Sequence, residues 1–106
     1  MPLIQITLAG PQAAPATIQQ LQQESTRLMA SILRKEAALT VVSVTQLPEG
    51  ACSANGQAVA TSASLQALIT AGTNSAAEKA AFIFAAKTLL TATFGPSDAP
   101  LYVALH

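Results

Sequence analysis

The chain has little charge. Its 106 residues include five Lys and Arg, five Asp and Glu, and the formal net charge is zero. Arg27, Arg34, Lys35, Lys79 and Lys87 are scattered, so there is no basic stripe to follow a nucleic-acid backbone. Cys52 is the only cysteine, which excludes an intrachain disulfide, and it reads as a free thiol in a loop. The only histidine, His106, is the last residue, so a Ser-His-Asp triad and a metal site both lack their parts. Gly50, Gly56 and Gly72 do not space as a phosphate loop. No metal and no cofactor is expected. Glu49 and Asp98 stand beside turn prolines and read as solvated.

Long apolar runs are also missing. The longest, from Ala80 to Leu90, is broken by Lys87 and is too short to span a bilayer. The N-terminus has no basic segment before its apolar residues, so no signal peptide is expected. The expectation is a soluble, cytoplasmic protein with no membrane partner. There is no tryptophan, one tyrosine and three phenylalanines, against 23 alanines. Core volume is therefore small for a chain that is 51% apolar by count. Contacts between subunits would add the burial that a small Ala-rich chain lacks.

What is present begins at Pro2. The run Leu3-Ile4-Gln5-Ile6-Thr7-Leu8 reads as a strand. If Met1 is removed, Pro2 supplies a rigid secondary amine at the head of that strand. A protein α-amine has an ordinary pKa of about 7.7–8.0, and desolvation lowers it further. Such an amine is suited to act as a general base near neutral pH.

Gly10-Pro11 ends the first strand. Thr17-x-x-Gln20 fits a capping box, followed by Ile18, Leu21, Ser25, Leu28, Met29 and Ile32 at helical spacing. This helix is expected to end near Arg34-Lys35. Residues 39–47 are β-branched and apolar and read as a strand. Asn55-Gly56 is the strongest turn dipeptide and predicts a hairpin. A third strand is expected over 62–71. Ser75-x-x-Glu78 is a second capping box, and Ala77, Ala80, Ala81, Phe84, Thr88 and Leu89 suggest the inward face of a second helix. Gly95-Pro96 should stop that helix, and 101–105 reads as a last strand.

The order is β-α-β twice, with halves of about 1–57 and 58–106 in a single domain. The expected class is α/β, in the two-layer α+β arrangement: a four-stranded sheet with two helices on one face. The other face would be left bare and apolar, a reason to expect subunits to pack there.

Taken together, these residues resemble the tautomerase superfamily. Residues 2–56 are similar to a 4-oxalocrotonate tautomerase unit in the Pro2-x-x-x-Ile6 opening and in Leu39-Thr40-x-Val42-x-Val44. The second half is similar to 5-carboxymethyl-2-hydroxymuconate isomerase. The shared features there are Leu68-Ile69-x-x-Gly72, Ser75-x-x-x-Lys79 and Thr93-Phe94-Gly95. The double length is similar to that subgroup and to macrophage migration inhibitory factor. The resemblance implies a homotrimer in which Pro2 moves a proton between keto and enol forms of a small keto acid. It further implies that Lys35, Tyr102 and Leu68 bind substrate, with Tyr102 serving a neighbouring subunit.

Two arginines that hold substrate carboxylate in 4-oxalocrotonate tautomerases fall on Gln12 and Ser43 here. An asparagine of the cytokine-like members is Ala104, and their Cys-x-x-Cys is absent. These departures leave a second reading open, a non-catalytic or ligand-binding trimer that keeps the fold.

Overall fold

The computed structural model describes residues 2–48, 50–94 and 101–106. Strand β1 spans Leu3–Ala9, helix α1 Pro15–Ile32 and strand β2 Val41–Leu47. A short hairpin follows, β3 at Ser53–Ala54 and β4 at Gln57–Ala58. Strand β5 spans Ser62–Leu68, helix α2 Ala76–Phe94 and strand β6 Leu101–Leu105. The main sheet has the order β2-β1-β5-β6.

β1 runs parallel to β2, from Leu3 opposite Val41 to Ala9 opposite Leu47. β5 runs parallel to β6, from Ala63 opposite Leu101 to Ala67 opposite Leu105. The two halves join through β1 and β5, which are antiparallel, from Leu3 opposite Leu68 to Ala9 opposite Ser62. Equivalent strands meeting in this way relate the halves by an approximate two-fold. Each half is the expected β-α-β crossover.

Both helices cover one face of the sheet and touch each other. Alternate strand residues Ile4, Ile6, Leu8, Ala63, Leu65 and Ala67 point into that layer and are buried. Leu21, Leu28 and Met29 of α1 and Phe82, Ala86 and Leu90 of α2 meet them. Ser25 lies among these residues, fully buried, and its hydroxyl has no hydrogen-bond partner.

Four sequence expectations are corrected. Helix α1 starts at Pro15 behind an extended Ala14, with no side-chain cap, so Thr17 lies inside the first turn rather than at the cap. Proline is already set for the first helical position, and its missing N–H costs nothing there. Gln46 of β2 accepts from the Ala13 N–H at 3.2 Å and donates to the Gly10 carbonyl at 3.3 Å. These bonds fix the loop that delivers Pro15.

Helix α2 buries Phe82, Ala86 and Leu90 and leaves Phe84 76% exposed, along with Ala80, Ala81 and Thr88. Apolar residues surround this helix, so periodicity could not select its inner side. The open face of the sheet is not an apolar wall. It carries a row of Val41, Leu3 and Leu68, and beyond it Ser43, Gln5, Gln66, then Thr45, Thr7, Ser64 and Tyr102.

The second capping box is formed. The Ser75 N–H donates to Glu78 at 2.9 Å, and the Glu78 N–H donates to the Ser75 hydroxyl at 3.1 Å. Asn55 and Gly56 take φ of 53° and 73°, the left-handed pair a tight hairpin needs. The strand expected over 39–47 begins at Val41, because Ala37–Leu39 form a 3-10 turn. The Gly95-Pro96 stop lies outside the described residues.

Candidate functional site

Pro2 is buried at the head of β1, and its carbonyl accepts from the Val41 N–H at 3.1 Å. That bond extends the β1–β2 ladder by one residue and fixes the ring at the edge of the core. Here the chain of α1 has just turned back. Leu33 is buried and Arg34 adopts φ 58°, the left-handed conformation usual for glycine after a helix. The turn brings Arg34, Lys35 and Glu36 beside Pro2. With Leu39, Ile69 and Thr70 they line a cleft of about 240 Å³.

The cations of this cleft have different partners. Lys35 is half-buried, and its Nζ donates to Thr73 Oγ1 at 2.7 Å. The Thr73 hydroxyl donates in turn to the Thr70 carbonyl at 2.7 Å. Arg34 donates through Nε to Glu78 Oε2 at 2.7 Å and through Nη2 to Glu78 Oε1 at 3.3 Å. Asn74 Nδ2 donates to the Leu33 carbonyl at 2.9 Å and to Glu78 Oε1 at 3.3 Å. The Arg34 guanidinium and the Ser75 N–H hold the Glu78 carboxyl well below its ordinary range, at about 2. Glu36 is exposed at the rim.

Of the residues predicted from sequence, Pro2 and Lys35 are brought together. Leu68 lies on the open sheet face opposite Leu3, one residue before Ile69 of the cleft. Tyr102 is not in this cleft. It lies opposite Ser64, about 17 Å along the sheet from the Pro2 end at roughly 3.4 Å per residue, and is 63% exposed. Gln12 and Ser43 are both exposed, Ser43 on the open face opposite Gln5.

Arg34, Thr70, Thr73 and Glu78 carry no motif that would mark them as site residues in the sequence. By sequence alone Arg34 is a helix-end charge and Glu78 a capping-box residue. Their partnership spans 44 positions and has no local signature. Among the described residues there is no group of three or more His, Cys, Asp or Glu able to hold a metal ion. A larger hollow of about 710 Å³ runs along the outer side of α2 past Phe84 and Lys87, with no reactive cluster in it.

No sequence-family profile matches the chain, and no curated protein matches it. Solved structures do match. A protein called Pt0534, crystallised after inactivation by 2-oxo-3-pentynoate, superposes with a TM-score of 0.88 at 19% identity, covering 98% of this chain and 83% of that one. The chain has the fold of the tautomerase superfamily. Native fused 4-OT matches with a TM-score of 0.83 at 16% identity over 98% of this chain and 86% of that one. A macrophage migration inhibitory factor-like protein from Entamoeba histolytica matches at 0.73 and 15% identity, over 99% of this chain and 88% of that one. Fused 4-OT is recorded as symmetric and asymmetric trimers. On the tautomerase fold of this chain, Pro2 occupies the first strand's leading end and the cleft opens beside it. No helix among the described residues is long and apolar enough to cross a membrane.

Proposed function

We propose that the protein is a keto–enol tautomerase that uses Pro2, freed by removal of Met1, as its general base on a small keto acid. The observation that carries this reading is the cleft itself, where a buried proline at a strand head shares walls with two cations. In the reaction the Pro2 nitrogen accepts a proton from the carbon beside the carbonyl, or from the enol hydroxyl in the reverse direction. The same proton is then returned to the other end of the conjugated system. No redox step and no co-reactant is needed. Lys35 would stabilise negative charge as it develops on oxygen, with Thr73 fixing its ammonium.

The assembly proposed is a homotrimer joined through the open sheet faces. Support comes from the trimeric fused 4-OT structures and from the open-face row of exposed Val41 and Leu68 with half-buried Leu3 between them. In it, Tyr102 of one subunit would complete the cleft of the next, which accounts for its distance from Pro2 in its own chain. Leu68 would flank the substrate at the same boundary.

One observation favours a second reading, a trimer that binds ligand without useful turnover: Gln12 and Ser43 bring no charge to the site. Labelling decides between the two. Met-free protein should be alkylated at Pro2 by 2-oxo-3-pentynoate, the compound that inactivated Pt0534. The amine adds to the alkyne carbon conjugated with the ketone, and its proton passes to the neighbouring carbon. A single adduct mapped to Pro2 by mass spectrometry, formed faster than on a free proline peptide, is the expected result. No adduct, or one only on Lys35, contradicts the reading.

A further inference from the structure

Arg34 is an outlier with a purpose to be found. It is one of two non-glycine residues with positive φ among those described; the other, Asn55, is a favoured turn residue. Arginine gains nothing from the left-handed region. Glycine would turn the chain after α1 with less strain. What glycine could not supply is the side chain, and Arg34 is one of the residues that line the Pro2 cleft. Strain retained at a cleft is a reason to look for function in the strained residue.

The guanidinium is also held. Nε and Nη2 face the two oxygens of Glu78, a fork-on-fork pairing that leaves the group one plane. Glu78 is fixed by Ser75 and Asn74, and Asn74 reaches back to the carbonyl of Leu33 beside Arg34. These bonds use two of the five guanidinium N–H groups. Nη1 has no hydrogen bond among the described residues.

We infer that Arg34, locked in place by Glu78, is the carboxylate-binding group of the Pro2 cleft. Its free Nη1 edge receives the substrate's carboxylate, and Lys35 is left to face the oxygen on which charge develops. Arg34 binds the substrate and Glu78 is a positioning residue. This assignment rests on the proposed function for the identity of the substrate, but not for the binding it requires.

The test is a titration of Met-free protein, followed by NMR, with 3-phenylpropanoate and its neutral amide. Wild type should prefer the carboxylate by about tenfold, the scale of one charge-assisted pair. Arg34→Gly should abolish the preference while the NMR spectrum keeps the dispersion of the folded protein, because glycine suits the left-handed backbone. Glu78→Gln keeps an oxygen for the Ser75 N–H and removes only the ion pair. It should weaken carboxylate binding by roughly threefold or more and leave the amide unchanged.

Equal binding of both ligands to wild type overturns the assignment. So does an Arg34→Gly protein that keeps the preference, or one that loses both ligands alike. Tighter carboxylate binding in Glu78→Gln would mean that Glu78 screens the site rather than builds it, and also overturns the positioning role. If the preference behaves as expected but Met-free wild type ketonises no enol, the proposed reaction fails and the carboxylate site stands.

Discussion

The proposed chemistry rests on single residues. Pro2 and Lys35, which line one cleft, can each be singled out from local sequence. A proline at position 2 before a strand, and a lysine closing a helix, can both be read without a fold. Arg34 was not legible, because its left-handed backbone and its pairing with Glu78 exist only once α1 and α2 are placed. Ser25 is the converse case. Helical spacing alone places it on the buried face, yet its hydroxyl finds no partner there. A buried unsatisfied hydroxyl carries a desolvation cost with no return, so Ser25→Ala should stabilise the protein by about 1 kcal/mol. Equilibrium unfolding in urea reads this directly. A loss of stability would mean that the hydroxyl is paired in solution.

At the scale of elements, the two capping boxes show where local signals succeed. Ser75-x-x-Glu78 forms as read, because nothing upstream offers a better helix start. Thr17-x-x-Gln20 lost to Pro15, whose fixed φ favours the first helical position, and to Gln46, which ties down the preceding loop. The inner side of α2 was illegible for another reason. With Phe82, Ile83 and Phe84 in succession, only the docking of the helix against α1 and the sheet selects Phe82.

The Glu78 cap has a pH signature. Its folded pKa of about 2 lies below the ordinary 4.5, so its stabilisation is complete above 4.5 and is lost as pH falls towards 2. The melting temperature of wild type should exceed that of Glu78→Gln at neutral pH, and the gap should close across this window. A gap that persists at pH 2 would contradict the pairing with Arg34.

For the whole molecule, the order of strand types was readable from two β-α-β patterns, and the parallel pairs followed from crossover geometry. The antiparallel junction of β1 with β5 was not readable, since no sequence signal states which edges of two similar halves will meet. The mixed character of the open face is hidden in the sequence for a related reason. Alternation marks which residues share a face, but Ser43, Gln66 and Ser64 fall beside Gln5 and Thr7 only through the register of three strands. That mixed face still carries exposed Val41, Leu68 and Tyr102, and the proposed trimer covers it. Light scattering at micromolar concentration should give about three times the 10.8 kDa chain mass. A monomer would remove the basis for assigning Tyr102 to a neighbour's cleft.

The central claim is that the Pro2 amine moves the proton, and the rate of ketonisation of phenylenolpyruvate by Met-free protein tests it most directly. Pro2→Ala keeps a primary amine at the same place but gives up the rigid secondary one. Its rate should fall by roughly one to several orders of magnitude if general-base catalysis carries the step. Equal rates for wild type and Pro2→Ala would contradict the account.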